Sequence, residues 1–111
     1  MKRFALAAAL IGCSSGYLAG QTLIQTLVPD IDVEALCIEQ ARAVNGGNSQ
    51  RLYCLQSEQE GYNELKTKWP SASEAVRQVC IAKWSNYSML SHCVDEETRA
   101  TADVAKFKFK K

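Results

Sequence analysis

Five cysteines, one histidine and twelve carboxylates are the residues of this 111-residue chain with side chains suited to chemistry. Cys37, Cys54, Cys80 and Cys93 form an even set through the body of the sequence, while Cys13 stands apart near its start. Such thiols can bridge, bind a metal or cycle as a redox pair. A redox pair is usually signalled by C-x-x-C, a spacing that does not occur here. His92, beside Cys93, is the only histidine, too few ligands for zinc once the cysteines are committed to bridges. Glu58 with Glu60, and Glu96 with Glu97, sit one or two positions apart and so point in different directions on a helix. They read as a solvated face. A lone histidine without a G-x-S-x-G context also leaves no hydrolytic triad to assign. The expectation is a protein with no catalytic residue, no metal and no cofactor.

What the cysteines do depends on the compartment, and the first 28 residues speak to that. Lys2 and Arg3 precede FALAAALIG (4–12), the positive start and apolar run of an export signal. LIGC (10–13) resembles the lipobox of bacterial lipoproteins, which implies acylation of Cys13 and a mature chain beginning there. Residues 4–28 could instead stay uncut as one helix, since a span needs about 20 mostly apolar residues. Lys2 and Arg3 would then hold the start in the cytoplasm and put the body outside. A third fate is cleavage after Gly20. All three export the body, whereas a cytosolic protein with a buried N-terminal helix leaves the cationic start unexplained. In a short exported chain, four cysteines are read as a disulfide framework.

Length and composition allow one small helical body. Apolar residues make up 47% and charged residues 23%, as in an ordinary folded domain with a hydrophobic leader. Residues 30–105 hold all twelve acids against seven basic residues, a net −5, and the last six residues, KFKFKK, carry four lysines. An acidic body offers no footprint for nucleic acid.

Four helices must position the cysteines. The first starts after Pro29, with Asp30 or Asp32 as cap and Val33, Leu36, Cys37, Ala41 and Val44 on one face. NGGN (45–48) ends it as a turn. A second runs from about Ser49 to Trp69, with Leu52, Leu55, Tyr62, Leu65 and Trp69 as its apolar stripe, and Pro70 stops it. SASE (71–74) opens the third as a capping box, with Ser71 as cap, Glu74 reaching back, and Ala72, Ala75, Val76, Val79 and Ala82 or Lys83 facing inward. After a break near Ser85 and Asn86, a fourth carries Met89, Leu90, Cys93 and Val94. At about 1.5 Å per residue, Cys37 and Cys54 lie at similar heights on either side of the NGGN turn. Cys80 and Cys93 do the same about the second break. Cys54 and Cys80 are mismatched by about 9 Å about Pro70. The expected bridges are Cys37 with Cys54 and Cys80 with Cys93, the crossed set, Cys37 with Cys93 and Cys54 with Cys80, being the runner-up.

YCLQSEQEG (53–61) and HCVDEETRA (92–100) echo each other, aligning Cys54, Leu55, Glu58 and Gly61 with Cys93, Val94, Glu97 and Ala100. Two copies of a stapled hairpin would explain this, as would helix composition alone. Residues Cys54, Leu55, Glu58, Gln59, Trp69, Cys80, Tyr87, Leu90 and Cys93 also resemble a pattern in small, uncharacterised exported bacterial proteins: C-L-x-x-E-Q, a tryptophan near a turn, a second cysteine, and a closing S-Y-x-x-L-x-x-C. Asn86 stands where a serine is usual. The resemblance covers residues 54–93 and implies an export address and a helical fold, with no catalytic residue to carry over. Cys37, the NGGN turn and the KFKFKK segment lie outside it.

The fold expected is all-α: a signal, lipobox or anchor segment (1–28), two disulfide-stapled helical hairpins (29–105) and a basic aromatic tail (106–111). The function expected is an exported, envelope-attached binding or structural accessory protein, or alternatively a membrane-anchored subunit of a larger envelope complex or an inhibitor of an envelope hydrolase. Its partner would be an envelope protein or a membrane surface. Trp84, Tyr87, Phe107 and Phe109 are the candidate anchors, aromatic side chains being what such contacts favour. The plainer uses are core packing for the first two and a solubilising end for the tail.

Overall fold

A computed structural model describes residues 26–111, which form four α-helices: α1 (Val33–Ala43), α2 (Asn48–Ser71), α3 (Glu74–Lys83) and α4 (Tyr87–Lys106). The readings placed on residues 1–25, including acylation at Cys13 and cleavage after Gly20, lie outside the described residues. The possible span over 4–28 falls almost wholly outside them as well. Among the described residues, no helix is long and apolar enough to cross a membrane.

Local chemistry sets the helix ends. Asp32 caps α1, its carboxylate accepting the Ala35 amide at 3.1 Å. The same helix closes with Gly46 N–H on Ala41 O, Asn45 N–H on Arg42 O, and Asn45 in the left-handed region at φ 53°. Asparagine tolerates that conformation because its short polar side chain can bond locally. At the second turn the expectation shifts by two residues. Pro70 is the penultimate residue of α2 and does not stop it, and Ser71 is still helical. Ser73 therefore caps α3, accepting the Val76 amide at 3.2 Å, and the Ser71–Glu74 box does not form. Asn86 caps α4 through Met89 N–H at 2.8 Å.

The two helical hairpins are stapled as the heights require. Cys37 bonds Cys54 between antiparallel α1 and α2, and Cys80 bonds Cys93 between antiparallel α3 and α4, with Cα separations of 5.5 and 5.7 Å. The hairpins join along α2 and α4, which run in the same direction, so that Glu58 meets Tyr87, Glu64 meets Ser91 and Lys68 meets Asp95. Leu65, Trp69, Val76, Cys80, Tyr87, Leu90, Cys93 and Val94 make the core at this junction.

The buried stripe of α2 differs from the expected one. Cys54, Glu58, Gly61, Leu65 and Trp69 are buried, whereas Leu52 is 54% exposed and Leu55 and Tyr62 are half-buried. The reason is what the stripe faces: at its middle α2 meets the first backbone turn of α4, where a carboxylate and a glycine fit and bulky apolar side chains do not. Val44, expected inside, extends past the end of α1 and is 63% exposed. In α3, Val76 is buried and Ala72 just before the helix is half-buried, but Ala75 and Val79 are exposed and the stem of Arg77 takes their place.

Candidate functional site

Of the three buried polar side chains among the described residues, Glu58 and Arg77 bind helix ends and Ser91 bridges two helices. Glu58 is 4% exposed, with Oε1 accepting Tyr87 N–H at 2.6 Å and Oε2 accepting Ser88 N–H at 3.3 Å. With Asn86 on the Met89 amide, every amide of the first turn of α4 has an acceptor, and the carboxylate meets the positive end of the helix dipole. Beside it, Gly61 packs against the same turn. At the other end of α2, Arg77 (6% exposed) donates from Nη1 to Trp69 O at 3.2 Å and Ala72 O at 2.5 Å. It ties α3 to the carbonyls that close α2. Ser91 donates to Glu64 at 2.7 Å and accepts from Lys68 at 2.8 Å, and Lys68 also pairs with Asp95 at 2.7 Å. Glu58, Gly61, Arg77 and Ser91 escaped the sequence reading as junction residues. Only Glu58 and Gly61 left a trace, as members of the echo.

Tyr87 is the clearest departure from a surface anchor. It is 5% exposed, its hydroxyl donates to Pro29 O at 2.7 Å and accepts Ile31 N–H at 2.9 Å, and its ring meets Tyr62 edge-on with centroids 5.0 Å apart. The phenol thus fastens the segment before α1 to the start of α4. Burial pushes its pKa up; the Ile31 hydrogen bond opposes this, and the charge of Asp30 adds to it.

A groove of about 540 Å³ opens between residues 28–34 and α2, with Val28, Pro29, Val33, Leu55 and Tyr62 as apolar walls and Tyr87 among its lining. Asp30, Glu34 and Glu58 are its acids, of which Glu34 is paired with Arg51 at 2.6 Å and Glu58 is spent on α4. Its apolar walls suit contact with an aliphatic or aromatic group.

The remaining sequence candidates fall in three places. Trp84 sits at the break between α3 and α4, 39% exposed, and Val79 and Ile81 of α3 are 38% and 47% exposed. Phe107 and Phe109 are 72% and 78% exposed beyond the body. His92 faces Glu96 at 3.2 Å on the exposed side of α4, and among the described residues no group of three or more metal-ligating side chains converges. The structure therefore separates Tyr87 from Trp84 and both from the phenylalanines; they do not form one surface.

The echo between the hairpins holds for the staples and stops there. Glu97, opposite number of Glu58, is half-buried and lies 3.9 Å from Lys83, and Ala100, opposite number of Gly61, is exposed. Where the hairpins join, α2 supplies the carboxylate and the glycine and α4 supplies the amides, so α4 needs neither at its own matching positions. No protein-family model matches the chain, and no curated protein or solved structure is significantly similar to it.

Proposed function

We propose that this chain is an exported, envelope-attached protein that binds a partner or serves as a structural accessory, without catalysis. The observation that carries the reading is the pair of buried disulfides, one to each hairpin, in a body of this size. Such bridges are consistent with an oxidising, exported environment and are how small secreted domains supplement a limited core. The apolar run after Lys2 and Arg3 supports the same address, and LIGC supports acylation at Cys13. Support for a non-catalytic role comes from the buried polar groups: Glu58, Arg77 and Ser91 all hold helix ends or helix contacts.

A membrane-anchored subunit of a larger complex is the second reading. The tip of the first hairpin favours it, because Val44, Leu52 and Tyr53 are each more than half exposed there. The intact mass of protein purified from membranes of an exporting host, before and after reduction, separates the two. A chain that starts at acylated Cys13 and gains four hydrogens supports the lipoprotein reading. A full-length mass moves the search to partners within the membrane, and recovery of the full-length chain from the cytosol with free thiols would overturn export altogether.

A further inference from the structure

From Thr98 onward every residue is exposed, although α4 stays helical through Lys106. The last turns of α4 and the five residues beyond them thus form an arm that leaves the body. Within it Arg99, Lys106, Lys108, Lys110 and Lys111 face a single acid, Asp103, for a net +4. The other eleven acids all lie at or before Glu97, in a body that is net negative.

Val104, Phe107 and Phe109 are 74%, 72% and 78% exposed, the three most exposed large apolar side chains among the described residues. The Phe107 amide closes α4 on Asp103 O and Val104 O, and residues 107–111 continue without regular structure. In an extended segment successive side chains alternate, which sets Phe107 and Phe109 to one side and Lys108 and Lys110 to the other.

We propose that this arm docks on an anionic phospholipid surface, with Phe107 and Phe109 entering the boundary of headgroups and acyl chains and the four lysines on the phosphates. Single aromatics alternating with single cations match a medium that is anionic at its face and apolar just beneath, and long lysine side chains reach back to the charged layer. Spacing supports the same occupant. Nine helical residues, 98–106, project about 13 Å, whereas the Debye length at physiological salt is about 8 Å. The arm can therefore touch an anionic surface while the acidic body stays beyond most of its repulsion.

The inference deepens the envelope reading by naming what the tail meets, and its test is independent of export. The probe is full-length Phe109→Trp protein, read as a difference from the parent because Trp69 and Trp84 are present in both. Vesicles carry brominated acyl chains, in phosphatidylglycerol or in phosphatidylcholine. A tail that docks shows blue-shifted, quenched emission from the new tryptophan on phosphatidylglycerol only. Each lysine near such a surface contributes a factor of about five, equivalent to about 1 kcal/mol. Adding Lys108→Gln and Lys110→Gln should lower the inserted-to-free ratio of the tail about 30-fold, and high salt should act in the same direction.

Because the readout is local, attachment through the leader does not mask it. Equal quenching on neutral vesicles would overturn the charge argument. No quenching on either would overturn docking, and shielding of the new tryptophan by polyglutamate but not by vesicles would assign the arm to an acidic protein instead. None of these outcomes bears on the mass measurement that tests export.

Discussion

Gly61 lies so close to Ser88 that a Cβ placed on it would come within 2.7 Å of the Ser88 amide nitrogen and 2.8 Å of its Cα. Two effects oppose each other at this position. A helix interior prefers alanine to glycine by about 1 kcal/mol, while overpacking a close contact costs about 1–3 kcal/mol. The neighbour here is backbone at the capped end of α4, which cannot swing aside as a side-chain tip can. Parting the helices would also lengthen the bonds from Tyr87 and Ser88 to Glu58. Gly61→Ala should therefore destabilise by about 1–2 kcal/mol, read as a lower urea midpoint at unchanged slope. A midpoint at or above that of the parent would show that the helices separate there without cost.

Glu58 tests the same junction from its polar side. Glu58→Gln keeps one acceptor oxygen but turns an amide group toward one of the two N–H donors and removes the charge at the helix end. A loss of about 1–2 kcal/mol is expected, and about 3 kcal/mol for Glu58→Ala, which strands both amides. Glu97→Gln supplies the control within the echo, because a 3.9 Å contact to half-exposed Lys83 is worth at most about 0.5 kcal/mol. Equal losses at the two sites, by equilibrium denaturation, would mean that the hairpins use these glutamates alike.

Why these residues escaped the sequence, when the bridges did not, has a physical answer. The cysteine pairing followed from counting residues to each turn, a quantity set by helical rise alone and insensitive to an error of two residues at Pro70 or Ser71. A cap at Asp30 or Asp32 is readable because its chemistry is local, and the structure places it at Asp32. The stripe of α2 is not readable in this way, since apolar periodicity finds a helix face that meets side chains, and this face meets the amides of another helix. Glu58 reads as solvated for that same reason. Tyr87 presents the related difficulty: its sequence neighbours mark a helix start, and only the return of residues 28–31 to that start supplies partners for the hydroxyl.

The staples should carry a large part of the stability. Their sequence separations are 17 and 13, and a loop of about 15 residues corresponds to roughly 3 kcal/mol in the chain-entropy model. Serine pairs are the cleaner test, because a single change leaves an odd thiol. Replacing Cys80 and Cys93 together, or Cys37 and Cys54 together, should each cost about 3 kcal/mol. Either double variant melting with the parent would sink the argument that these bridges stabilise so small a core. Non-reducing peptide mapping of the parent should link Cys37 to Cys54, whereas a Cys37–Cys93 peptide would mean the crossed pairing forms in solution.

Alkaline pH should loosen the fold through Tyr87. Its phenol ionises near pH 10 in an unfolded chain, and burial raises that value in the folded one. The native state then binds more protons above pH 10, so stability falls as pH rises from the unfolded pKa to the folded one; below pH 10 the hydroxyl is neutral in both states and contributes no slope. In the neutral form it donates to Pro29 O and accepts from Ile31 N–H, and the phenolate loses the first of these bonds. Melting temperatures taken from pH 8 to 11 should drop at the upper end for the parent. Tyr87→Phe should start lower by about 1–2 kcal/mol for its missing hydroxyl, with two backbone groups left unpaired, and should show a shallower alkaline decline. The three other tyrosines, Tyr17, Tyr53 and Tyr62, remain in the variant, so the difference between the two curves isolates the latch. Parallel curves would place the alkaline response elsewhere and leave the bond to Pro29 as a contact without a pH-dependent role.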